Sequence, residues 1–117
     1  MKNKAFRHRL GFAVAGIVHA LRAEKSFRLQ ILAACAVFAG MLYLRPTPLW
    51  WAVIAITTLL VLAAELFNTA LELLVDHLHP DQHPSIKLVK DCAAGAVLLV
   101  SIAAVCVAAA LVWDSLR

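Results

Sequence analysis

Charge is what this sequence lacks most. Only 15% of its 117 residues are Asp, Glu, Lys or Arg, against about 25% in soluble domains. Three stretches carry no formal charge at all: Leu29 to Leu44, Pro46 to Ala64 and Cys92 to Trp113, of 16, 19 and 22 residues. No Gly-rich nucleotide loop, Walker A pattern, kinase catalytic loop or Gly-x-Ser-x-Gly elbow occurs, which excludes the soluble kinase and hydrolase frameworks. Cys35, Cys92 and Cys106 fall in or beside apolar runs at no metal-ligand spacing, so they read as small hydrophobes. His77 and His79 are two residues apart and point to different helix faces, which argues against a zinc site with His83.

What is present in abundance is apolar surface. The hydrophobic fraction is 63%, more than a single short domain can hide from water, and a bilayer is the natural solvent. Crossing the hydrocarbon core takes about 20 residues. The first run is short of that, and its flanking Arg28 and Arg45 can snorkel to the interfaces. A signal peptide would place an apolar run directly after a short basic start. The first 28 residues, with His8, Arg9, His19, Arg22, Glu24, Lys25 and Arg28, are too polar for that, and the first span is expected to be retained.

Seven of the eleven basic residues, Lys2, Lys4, Arg7, Arg9, Arg22, Lys25 and Arg28, precede position 29, with only Glu24 opposing them. The positive-inside rule then puts the N-terminus in the cytoplasm. The turn Arg45-Pro46-Thr47-Pro48 lies outside, with Trp50 and Trp51 as interfacial anchors. The net charge of +4 reads as an orientation signal and as affinity for anionic headgroups. It does not indicate nucleic acid, because no basic patch is interleaved with exposed aromatics.

Periodicity supplies the elements. Phe6, Leu10, Val14, Ile17 and Leu21 share one helical face. They predict a surface helix over about 4–27, lying in the membrane interface, with a solvated helix packed on the loop as the plainer alternative. Transmembrane helices follow over about 28–45, 48–78 and 85–113, the last two joined by the proline-bracketed turn His79 to Pro84, with Ser85 as the expected N-cap. The expected architecture is an all-α membrane protein formed by one domain, residues 1–117.

Chemistry concentrates at the end of the second span. Glu65, Asn68, Glu72 and Asp76 lie at offsets of 0, 3, 7 and 11, within about 80° of one another on a helix. Glu65 follows directly on nineteen uncharged residues, where an ionised carboxylate costs about 2.5–3.5 kcal/mol and marks a functional site. Glu65 and Glu72 are about 10 Å apart along the axis, a reach suited to an attacking hydroxyl and a metal among nucleotide phosphates. Glu72 has the chemistry to bind Mg²⁺ through one carboxylate, Glu65 to accept a proton from an alcohol, and Asn68 to position either. Glu24 before the first span and Lys90-Asp91 before the third face the same layer. A lysine is the expected counter-charge for a transferring phosphoryl group, and a further carboxylate completes a metal site. Each has a plainer reading as well: Glu24 pairs with Arg28 at i,i+4, Lys90 marks the membrane edge, and Asp91 is solvated.

The run Glu65-Leu-Phe-Asn68-Thr-Ala-Leu-Glu72-Leu-Leu-Val-Asp76, followed by Lys90-Asp91, resembles the signature of the prokaryotic diacylglycerol kinase family, which includes the undecaprenol kinases. Glu24-Lys-Ser-Phe27-Arg28 is similar to the family's segment before its first span, and the resemblance covers essentially the whole chain. It implies a homotrimeric helical bundle in the bacterial inner membrane, with three-span subunits and active sites shared between neighbours, that transfers the γ-phosphate of MgATP to a lipid hydroxyl. It further implies that Glu65 is the catalytic base, supported by Asn68, and that Glu24 and Glu72 hold Mg²⁺. By the same resemblance, Lys90, Asp91, Asp81, Gln82, His83 and Phe12 contact the nucleotide. Composite sites give trimerisation a physical motive, since polar stripes then face protein instead of lipid. The small residues Ala93, Ala94, Gly95 and Ala96 permit close helix approach.

The acceptor stays open between diacylglycerol and undecaprenol. Residues 83–96 look more like the undecaprenol kinase branch, whereas Phe27-Arg28 looks more like the diacylglycerol branch. Leu29 and Gln30 depart from that branch's Gln-Glu, and Phe12 replaces a tyrosine found in some members. Two other classes compete with the kinase: a small oligomeric channel or transporter lined by Glu65 and Glu72, and a non-catalytic membrane assembly subunit.

Overall fold

The computed structural model describes residues 5–117, which form four α-helices and, among the described residues, no strand: α1 (Phe6–Ala23), α2 (Lys25–Leu44), α3 (Pro48–Leu78) and α4 (Pro84–Leu116). Three of them, α2, α3 and α4, are long and apolar enough to cross a membrane, as expected of a multi-pass membrane protein. Their 20, 31 and 33 residues rise about 1.5 Å each. The first therefore matches a hydrocarbon core of about 30 Å, while α3 and α4 outreach it by about 15–20 Å. That excess carries the Asn68-to-Leu78 end of α3 beyond its apolar run.

The first helix and the first span are separate, and the break falls at Glu24, three residues before the sequence-based boundary. Glu24 is extended, with φ −111° and ψ 111°. The last carbonyls of α1 would be orphaned there. Arg28 folds back to satisfy them, its Nη1 donating to the carbonyls of Leu21 and Arg22 at 3.0 Å each. Its guanidinium is thus committed to the backbone rather than paired with Glu24. Burial of Ala20 and Phe27 on either side of the break holds the corner. Lys2 and Lys4, with the expected start of the surface helix, lie outside the described residues. On α1 itself Phe6, Leu10, Val14 and Ile17 are left uncovered by the rest of the chain, as an interfacial face requires.

At the other end, Arg45 closes α2 in the left-handed region (φ 52°), its N–H donating to the Met41 carbonyl at 2.8 Å, an αL cap without glycine. Pro48 then occupies the first turn of α3, where its missing N–H costs nothing. The α3–α4 turn ends on His83, whose Nδ1 accepts from the Ser85 N–H at 3.1 Å. The cap is therefore His83 and not Ser85, because Pro84 takes the first helical position.

Met41, Ile54 and Leu111 form the principal core where α2, α3 and α4 converge near the α2–α3 turn. Phe38 and Trp51 pack against it with ring centroids 5.9 Å apart, and Trp50 Nε1 donates to Asp114 Oδ2 at 2.9 Å. Most other large apolar side chains of the spans face outward, among them Leu32, Leu59, Leu60, Leu98, Leu99 and Val105. That inversion of the soluble pattern suits lipid or a neighbouring subunit. Of the small-residue stretch on α4, Ala93 alone is buried, and a Cβ at Gly95 would meet no atom within 4 Å.

Candidate active site

The polar stripe of α3 begins where its apolar run ends. Glu65 is only 5% exposed and Thr69, one turn on, 7%, so a carboxylate and a hydroxyl are packed inside the corner made by α1, α2 and α3. The helix period puts both on the side that faces the Glu24 break. Gln30 of α2 stands beside Glu65, and Glu24 and Glu72 are close enough to act on it electrostatically. Gln30 also donates through Nε2 to Ser101 Oγ on α4 at 3.3 Å, which ties the spans together at the level of the carboxylate.

Asn68 links the stripe internally. Its Nδ2 donates to Glu72 Oε1 at 3.1 Å, a bond that the i,i+4 spacing on a helix favours. Its Oδ1 is buried without a partner, an unusual state for a buried acceptor and one that a bound group would relieve. Glu24, Glu65 and Glu72 make no ion pair among the described residues. Lys90 lies within the field of Glu72 but pairs elsewhere, so neither Glu24 nor Glu72 has a direct basic partner and both can accept a cation. Among the described residues no three His, Cys, Asp or Glu converge as a protein cage, so Glu24 and Glu72 offer at most a pair. That donor set fits Mg²⁺, which takes one or two carboxylates and completes its octahedron with phosphate oxygens and water.

Further toward the α3–α4 turn the charges pair. Lys90 Nζ meets Asp76 Oδ1 at 2.6 Å across the two helices, and Lys87 Nζ meets Asp91 Oδ2 at 2.6 Å along α4. An open cavity of about 550 Å³, lined by Gln82, His83, Pro84, Ile86, Lys87 and Lys90, lies beside these pairs; small-molecule sites measure roughly 300–1,000 Å³. The fold therefore brings the sequence-derived candidates together in two groups, Glu24, Glu65, Asn68 and Glu72 in one and Gln82, His83 and Lys90 in the other. Phe12 on α1, Asp81 in the turn and Asp91 are exposed and line neither group.

Sequence reasoning passed over Gln30, Thr69, Ser101 and Lys87 as site residues. The signal for Gln30 and Ser101 is their isolation as polar side chains inside apolar runs; Thr69 lies a helical turn from Glu65. A second, smaller groove of about 90 Å³ starts at Gln30 and runs between α2, α3 and α4 past Ala33, Ala34, Val61, Leu62 and Ala104; Glu65 does not line it.

A family model for prokaryotic diacylglycerol kinase matches residues 11–112. A diacylglycerol kinase of Synechocystis sp. is 41% identical over 106 residues, covering 90% of this chain and 61% of the relative. An undecaprenol kinase of Bacillus subtilis is 34% identical over 99 residues, covering 85% and 77%. The chain thus spans less than two thirds of the cyanobacterial relative's length.

Proposed function

The chain belongs to the prokaryotic diacylglycerol kinase family, and on that premise we propose that it is a lipid kinase, transferring the γ-phosphate of ATP to the hydroxyl of a membrane lipid, diacylglycerol or undecaprenol. The observation that carries this reading is the buried Glu65 standing beside the Asn68–Glu72 hydrogen bond where the apolar run of α3 ends. A lipid alcohol reaching Glu65 from the membrane would present its hydroxyl to a carboxylate shielded from water.

In the proposed reaction Glu65 accepts the hydroxyl proton as the oxygen attacks the γ-phosphorus. The new O–P bond forms as the bond from the γ-phosphorus to the β-phosphate oxygen breaks, and ADP leaves with the displaced electron pair. Little covalent work falls to the protein; positioning and charge neutralisation carry the rate. Asn68 orients Glu72, and Glu72 and Glu24 would hold Mg²⁺, which when bound supplies positive charge to the phosphate oxygens. Lys90 faces the leaving and transferring phosphates, with Gln82 and His83 forming the wall on which the nucleotide rests. Phe12, Asp81 and Asp91 are assigned to the nucleotide by resemblance and belong to the same proposal.

The protein works, on this reading, as a homotrimer in the bacterial inner membrane with its N-terminus in the cytoplasm. The outward apolar faces of α2 to α4 and the unfilled space over Gly95 support a neighbour in the membrane plane. The basic residues Arg7, Arg9, Arg22, Lys25 and Arg28 support the orientation.

The test is transfer of label from γ-labelled ATP with Mg²⁺ to diacylglycerol and undecaprenol offered in parallel to purified protein. Label in one lipid, abolished by chelation, is the expected result and identifies the acceptor. Label in neither, from folded protein, overturns the reading.

A further inference from the structure

The Lys90–Asp76 pair is the only ion pair among the described residues that joins two helices. Its side chains are 38% and 61% exposed, and exposed pairs contribute little to stability, so its interest is positional. Lysine carries its charge on a flexible stem with three donors. From α4, the ammonium has two carboxylates of the α3 stripe within its field, Asp76 and Glu72. It meets Asp76 at 2.6 Å, while Glu72 keeps Asn68 as its partner. One N–H is thereby used and two remain.

We propose that Asp76 is the positioning residue of Lys90: the 2.6 Å pair between α3 and α4 seats the ammonium over the nucleotide cavity and keeps it off Glu72. The inference rests on the lipid kinase reading and extends it. Asp76 touches neither nucleotide nor lipid; it acts through Lys90. When Asp76 loses its charge, Lys90 turns to Glu72, one helical turn away, and neutralises a carboxylate needed for the metal. Two defects then follow from one substitution, a weaker grip on the phosphates and a higher requirement for Mg²⁺.

The experiment measures steady-state phosphate transfer by the full-length protein in lipid-detergent micelles for the wild type, Asp76→Asn, Asp76→Glu, Lys90→Ala and the Lys90→Ala, Asp76→Asn double variant. Asp76→Asn is expected to raise both the KM for MgATP and the half-saturating Mg²⁺ concentration about three- to tenfold, with the KM for lipid unchanged. Asp76→Glu restores both to within about twofold, and in the Lys90→Ala background Asp76→Asn adds less than twofold. The proposal is overturned if Asp76→Asn leaves the MgATP KM unchanged, if it acts equally with and without Lys90, if the lipid KM moves in parallel, or if the variant does not fold. A wild type that labels neither lipid overturns the kinase reading itself, and this inference with it. A wild type that labels lipid, with an Asp76→Asn variant indistinguishable from it, overturns the inference alone.

Discussion

Asn68 donates its side-chain amide to Glu72 Oε1 at 3.1 Å while its own Oδ1 stays buried and unpartnered. One residue thus both fixes a carboxylate and holds an acceptor in reserve, a combination that serves a site waiting for a ligand. Substitution tells the two roles apart. Asn68→Asp keeps the size and loses the donor, setting a second carboxylate against Glu72. It is expected to cut kcat at least tenfold and to raise the Mg²⁺ requirement, measured by metal titration of the transfer rate. Asn68→Ala is expected to lower kcat without the added repulsion.

Glu65 is the sharpest test of mechanism. Positioned general bases contribute about 10²–10⁴-fold, so Glu65→Gln should reduce kcat by that order while leaving the MgATP KM near the wild-type value. Near-full activity in a folded Glu65→Gln protein would remove Glu65 from the role of base.

Arg28 predicts a structural phenotype at a distance from any substrate. Removing its two bonds to the Leu21 and Arg22 carbonyls frees the end of α1 and costs about 1 kcal/mol. In Arg28→Ala, limited trypsin digestion should cut faster after Arg22 or Lys25, and thermal unfolding in detergent should begin earlier.

The opposite end of the bundle offers a control. Trp50→Phe removes the bond to Asp114 and keeps most of the ring. Stability should fall by about 0.5–1.5 kcal/mol with phosphate transfer intact. A large loss of activity would mean that the two ends of the molecule are coupled.

Much of this molecule can be read from its residues, and the reasons are local. A charge-free run of adequate length is a span wherever it occurs, and a stripe at offsets of 0, 3, 7 and 11 is a stripe on any helix, so α3 and its carboxylates were legible at once. The break at Glu24 was not. It contains neither glycine nor proline, and it is made by Arg28 reaching back six and seven residues, a contact that periodicity does not register. The same holds for Lys90 and Asp76, fourteen residues apart, which meet only because α3 and α4 fold against each other. Gln30 was hidden by its surroundings: one polar residue in an apolar run looks like noise until the fold sets it beside Glu65. The cap at the start of α4 was misplaced for a smaller reason, since Ser85 is the better capping residue by type but Pro84 already occupied the position that decides it.

The two ends of the α3–α4 pair are fastened by different means. Met41, Ile54 and Leu111 clamp one end with buried apolar surface, and the other is closed by the short turn between Leu78 and Pro84 and by the exposed bridge of Lys90 and Asp76. Backbone amides should therefore exchange with deuterium slowly around Ile54 and Leu111 and much faster from Asp76 to Lys90. Because the turn between Leu78 and Pro84 already ties that end covalently, the bridge can exchange its partners for a polar ligand without parting the two helices.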